Sequence, residues 1–208
     1  MHAIDFWFDP ISPFAYLAFE QMPQALEGCS YAVTYRPLLL AGLLGHWGQK
    51  GPAEIEPKRA WTFRHVHWLA QQHGITLDTP AVHPFNPLAL LRLALACGPN
   101  RRIVEAVFRH AWVGGHDPND AQRLAELTAR LAPLRDPAGA DVKTELRRLT
   151  DEAAAGGVFG VPSFVLDRRL FWGLDALPML RDALQGGPWF QGPGWAEAGA
   201  TRPGVVRG

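Results

Sequence analysis

The 208-residue chain has very little cysteine. Cys29 and Cys97 are the only two, far apart and in no metal-like spacing. That scarcity excludes a disulfide-stapled scaffold and a cysteine-based zinc module, and it favours a reducing cytoplasm. Excess charge is missing as well: Lys+Arg and Asp+Glu are both 20, a formal net charge of zero. Partners such as nucleic acid or an anionic membrane usually leave a basic surplus, so neither is expected. No apolar run is long enough to span a bilayer. The opening "MHAIDFWFDP" has no basic region and reaches an acid at Asp5, so it does not read as a signal peptide. A cytoplasmic location is expected. Ligand-spaced histidines are absent too. His65 and His67 stand two apart on an expected helix and face different ways, while His73, His83, His110 and His116 show no ligand pattern. No metal is expected.

What is present is a chain 48% hydrophobic, ample for a buried core and larger than a typical single layered domain. Residues 3–8, "AIDFWF", alternate Ile4, Phe6 and Phe8 against Asp5 and Trp7, the pattern of a strand. From Pro13 to about Leu26 the period becomes helical, with Pro13 suited to the first turn. "YAVTYRP" (31–37) is a second strand. Between 38 and 155 no strand is expected, but five helices are: 57–74, 86–98, 101–115, 119–132 and 141–157. Gly74 stops the first of them, and Asn86 with Pro87 opens the second. "SFVLDRRLFWG" (163–173) reads as a hairpin around Asp167-Arg168-Arg169, followed by a last helix over 175–187.

The order β-α-β, helical insert, β-β-α is that of an α/β, thioredoxin-like domain interrupted by an all-helical insertion. The expected division is 1–37 and 158–187 for the discontinuous thioredoxin-like domain, 38–157 for the helical insertion, and 188–208 for an irregular tail rich in Gly, Pro and Ala.

Two corners carry the chemistry. At the first, strand meets helix through Ser12-Pro13-Phe14-Ala15. Unpaired N–H groups at a helix start stabilise negative charge. Thioredoxin-like oxidoreductases place a C-x-x-C pair here, whose first thiolate benefits from the helix end. Both cysteines are missing in this chain, which rules out dithiol exchange at this corner. Ser12 is either a helix cap or a functional hydroxyl. The second corner, "GVFGVPSFVLD" (157–167), sets Val161-Pro162 directly before a strand, where a proline cannot donate to the ladder. In thioredoxin-like folds a cis proline here faces the helix start and leaves the preceding backbone free for a peptide-like ligand.

Three long stretches, "DFWFDPISPFAYLAFE", "RPLLLAGLLGHWGQKGPAEIEPKR" and "GVFGVPSFVLDRRLFWGLDALPML", strongly resemble the 2-hydroxychromene-2-carboxylate isomerases and, more distantly, the kappa-class glutathione transferases. The resemblance reaches about residue 185. It implies glutathione as cofactor, a small aromatic substrate, and a homodimer. It implies Ser12 as the catalytic hydroxyl donating to the glutathione sulfur, with Gln49, Lys58, Val161, Pro162, Leu174 and Asp175 as further glutathione contacts. Gln49 stands where relatives usually carry Asn, and Leu174 where kappa relatives carry Ser. Asp175 matches the acid that meets the γ-glutamyl ammonium, and it is also placed to cap the last helix. His46 and Asn86 fall where the substrate would lie, although Asn86 equally fits a helix cap. Gly45 replaces a lysine that in many relatives meets the substrate carboxylate, and His46, Arg64 or Arg36 is left to supply that charge. Among Trp47, Trp61, Phe63, Trp68, Phe85 and Phe171, one or two are expected in the pocket and the rest in the core.

The implied reaction is the interconversion of 2-hydroxychromene-2-carboxylate and trans-o-hydroxybenzylidenepyruvate by reversible thiolate addition. A kappa-like transferase acting on another electrophile is the alternative, and a non-catalytic peptide-binding protein is a third.

Overall fold

The computed structural model describes residues 1–200 and 204. Four strands form one sheet in the order β2-β1-β3-β4. They are β1 (His2–Phe8), β2 (Tyr31–Pro37), β3 (Ser163–Leu166) and β4 (Arg169–Trp172). β1 runs parallel to β2, with Phe6 opposite Tyr35, and antiparallel to β3, with Phe6 opposite Phe164. The sheet therefore closes around β1, whose C-terminal end leads into residues 9–12.

Alternation along β1 decides what lies on each face. Ile4, Phe6 and Phe8 point into a core shared with α1 (Pro13–Ala25), α5 (Arg101–Trp112) and α8 (Leu177–Leu184), while Trp7 points into a second core under α4 (Leu88–Cys97) and α7 (Ala140–Ala155). Helices from the 38–157 segment contribute to both cores. α3 (Glu56–His73) supplies Val66 and Ala70 to the first, and α2 (Leu40–His46) supplies Leu43 to the second. In the same segment, α6 (Ala121–Leu131) buries Leu127 and Leu131 in the first core.

Three local expectations need correction. The 38–57 stretch contains α2 and a 3-10 turn over Pro52–Glu54, beyond the five helices read from periodicity. "LAGLLGH" is only seven residues with two glycines, too short to establish a period, and its burial against α7 supplies what propensity does not. The hairpin turn consists of Asp167 and Arg168 alone, both with positive φ, while Arg169 already pairs with Leu166 in β4. That is the two-residue turn whose twist matches the strands it joins. The tail is not irregular over 188–198. It forms α9 (Pro188–Gln191) and α10 (Gly194–Ala198), with the rings of Phe190 and Trp195 packed on Phe171 of β4 at 5.9 and 5.4 Å. Aromatic burial outweighs the turn-forming composition there.

Candidate functional site

The loop from Asp9 to Ser12 joins β1 to α1, and nearly every polar group in it is held. Asp9 is fully buried. Its Oδ1 accepts from the Ile11 N–H at 3.0 Å and its Oδ2 from the Leu40 N–H at 2.8 Å, tying the loop to the start of α2. The Ser12 N–H donates to the Asp9 carbonyl at 3.1 Å. Trp112 Nε1 donates to the Pro10 carbonyl at 2.8 Å, and His83 Nε2 lies 3.0 Å from the Ile11 carbonyl. Burial pushes the Asp9 carboxyl up to about 7, against the lowering effect of its two backbone donors. Sequence reading passed over Asp9. The signal was an acid set between a strand and a proline, which reads as ordinary turn chemistry.

Ser12 is the N-cap of α1: its Oγ accepts from the Ala15 N–H at 3.2 Å. The same hydroxyl donates to the Val161 carbonyl at 3.4 Å, across 149 residues of sequence. Cap and cross-loop contact are made by one group. The Val161-Pro162 bond is cis, as the second corner led us to expect, and the Pro162 carbonyl accepts from the Gly173 N–H at 2.9 Å. At 3.4 Å the Ser12 contact is long for O–H···O, so the hydroxyl is only weakly committed.

Beside this corner lies a cleft of about 520 Å³ lined by Phe14, Val161, Pro162, Leu174 and Asp175, together with His65, His73, Gln21 and Trp172. Its size is that of a small-molecule site. Four of the expected cofactor contacts thus share one wall. Asp175 sits in a 3-10 turn (Leu174–Ala176) and does not cap α8, which corrects that part of the expectation. Its carboxylate folds back over Gly173, leaving no room for a Cβ there, and Gly173 has φ +100°. The positive φ favours glycine there, and a Cβ would also push the Asp175 carboxylate aside.

The other expected residues do not line this cleft, and Ser12 borders it only through its contact with the Val161 carbonyl. His46, Gln49 and Lys58 are exposed around the end of α2 and the start of α3. The Trp47 indole, donating to the Val158 carbonyl at 2.8 Å, pins that segment near the second corner. α4 begins at Leu88 with Pro87 at the cap position, which corrects the expected Asn86 cap; Asn86 stands one residue earlier, its Oδ1 accepting from the Leu88 N–H at 3.1 Å. Arg36 pairs with Asp5 at 3.1 Å and lies over Trp7, which removes it as a free cation for the site. Arg64 is exposed on α3. Of the aromatics, Phe85 and Phe171 are core, Trp61 and Trp68 are exposed on α3, and Phe14 and Trp172 are the cleft rings sequence reading missed. Cys29 and Cys97 are free thiols, both half-buried. Among the described residues no helix is long and apolar enough to cross a membrane.

Comparison with known proteins agrees with this architecture. The family model of the DSBA-like thioredoxin domain matches residues 3–185. The 2-hydroxychromene-2-carboxylate isomerase of Sphingobium xenophagum is 30% identical over 194 residues, covering 87% of this chain and 97% of that protein. Glutathione S-transferase kappa 2 of Caenorhabditis elegans is 26% identical over 206 residues, with coverage of 87% and 91%. Among solved structures, a 2-hydroxychromene-2-carboxylate isomerase superposes with a TM-score of 0.79 at 23% identity, covering 95% of this chain and all of that one.

Proposed function

The chain belongs to the DSBA-like thioredoxin-domain family, and within it to the 2-hydroxychromene-2-carboxylate isomerases; on that premise we propose that this isomerase interconverts 2-hydroxychromene-2-carboxylate and trans-o-hydroxybenzylidenepyruvate with glutathione as cofactor. The observation that carries the reading is the Ser12 hydroxyl at a helix start, facing the cis Val161-Pro162 corner with no thiol beside it. The cleft suits the tripeptide in its donor set. A carboxylate at Asp175 complements an ammonium group, and the Val161 backbone lies beside the cis proline in the manner of a peptide-pairing edge. Leu174 adds an apolar wall, and Gln49 and Lys58 offer an amide and a cation from the exposed rim.

Glutathione, when bound, supplies the thiolate that this chain lacks, for reversible addition to a conjugated double bond without redox change. The protein's part is electrostatic. Ser12 Oγ donates to negative charge in the cleft, and the first-turn amides of α1 add the positive end of a 13-residue helix. A free thiol is mostly protonated at neutral pH, and lowering its pKa by one unit takes about 1.4 kcal/mol. One charge-assisted hydrogen bond plus a helix end supplies that. In this reading His46 and Asn86 are assigned to the aromatic substrate, from outside the cleft wall that holds Asp175.

The test is turnover of hydroxychromene carboxylate with and without glutathione. Turnover only with glutathione is expected. Turnover independent of it refutes the cofactor assignment, and no turnover in either condition refutes the substrate. One observation favours a second reading, a kappa-like transferase acting on another electrophile. Gly45 is exposed with open space around it and Arg36 is engaged elsewhere, so two sources of the carboxylate-binding cation are gone.

A further inference from the structure

His83 lies on the connection between α3 and α4, far in sequence from the Ser12 loop. Its ring nevertheless contacts that loop through Nε2, 3.0 Å from the Ile11 carbonyl. A carbonyl only accepts, so Nε2 carries the proton. The other nitrogen, Nδ1, is buried and has no partner among the described residues. Aromatic rings enclose the imidazole: Phe63 at 5.0 Å, Trp112 at 5.6 Å and Phe85 at 6.1 Å between centroids. The charged group facing it is Arg59 of α3, whose guanidinium donates to the His83 carbonyl. A second proton would bury an N–H with nothing to accept it, beside that guanidinium. Burial also lowers the His83 pKa from its ordinary value.

We propose that His83 is a positioning residue for Ser12: a neutral imidazole, protonated on Nε2, that fixes the Ile11 carbonyl and thereby aims the Ser12 hydroxyl at the Val161 corner of the cleft. The Ile11-Ser12 peptide is planar, so fixing its C=O fixes the plane from which the Ser12 Cβ departs. Trp112 holds the neighbouring Pro10 carbonyl and Asp9 holds the Ile11 N–H. His83 completes the set from a segment that neither of them restrains. A buried polar atom without a partner calls for an explanation. Here the bare Nδ1 is what keeps the clamp uncharged.

The turnover arm of the test rests on the glutathione-dependent reading above; the other arms do not. In wild type, ¹⁵N shifts near neutral pH should show a proton on Nε2 and none on Nδ1. His83→Phe keeps an aromatic ring and removes the donor. It should lose about tenfold in turnover at saturating substrate, the worth of one net hydrogen bond, with glutathione affinity unchanged. Amide exchange over residues 12–15 should rise in the same variant. His83→Gln, whose amide reaches where Nε2 stood, should restore turnover to within about threefold and return exchange to the wild-type rate. It should also lose the acidic limb of the wild-type pH profile, which a merely structural residue would not move. The proposal is overturned by a proton on Nδ1, by wild-type exchange and turnover in folded His83→Phe, or by His83→Gln failing as His83→Phe does. If wild-type turnover ignores glutathione, the functional reading fails by itself, and the tautomer and exchange results still decide the role of His83.

Discussion

Replacing Asp9 by Asn should change how the stability of this protein depends on pH. The carboxyl is fully buried, and burial raises its pKa from an ordinary 3.8 to about 7. A folded-state pKa above the unfolded one means that the native chain holds a proton the unfolded chain has released. The stabilisation is therefore present in full below the unfolded value and is lost as pH rises toward 7. The slope is at most about 1.4 kcal/mol per pH unit, so wild type should lose about 2 kcal/mol from this group between roughly pH 5 and pH 7. Asn does not titrate. It keeps one acceptor for the Ile11 or Leu40 N–H and turns a donor toward the other, a cost of about 1–3 kcal/mol at any pH. Urea unfolding of both proteins across that range isolates the effect, because His83 and His110 titrate in both and cancel in the difference. The expected result is a variant clearly weaker at the acid end whose deficit shrinks as pH rises, then levels off above neutrality. A difference that stays flat, or widens with pH, refutes the argument.

Three further outcomes are expected. Ser12→Ala should lower turnover by about 10–100-fold, the worth of a charge-assisted hydrogen bond, while costing only about 1 kcal/mol in urea unfolding for the lost cap. Full turnover in that variant would reduce Ser12 to a cap. Asp175→Ala should raise the glutathione Kd about tenfold by calorimetry and leave the rate at saturating glutathione intact; the opposite split would contradict its binding role. Gly173→Ala should destabilise by about 1 kcal/mol in urea unfolding, because a φ of +100° strains a residue with a Cβ and the Asp175 carboxylate would have to move aside.

The fold was largely legible because its signals are local. Alternation in "AIDFWF", the Pro13 helix start, the Gly74 stop and the hairpin each declare themselves within a few residues. α2 was not, because seven residues with two glycines among them have no period to read and are helical by packing on α7. α9 and α10 were hidden for a related reason: their composition is that of a loop, and only contact of Phe190 and Trp195 with Phe171 favours helical turns.

For the site, the sequence by itself determined the chemistry available: a serine where a thiol would stand, a proline before a strand, and no second cysteine close by in the chain. Residue type and nearest neighbours are enough for that. Only the tertiary structure decided that the Ser12 hydroxyl meets the Val161 carbonyl, that Arg36 is spent on Asp5, and that Asp9 and His83 grip the loop between β1 and α1. Burial and partner distance are set by segments that chain order keeps far apart. Those two quantities turn an ordinary acid and an ordinary histidine into the supports of the loop between β1 and α1.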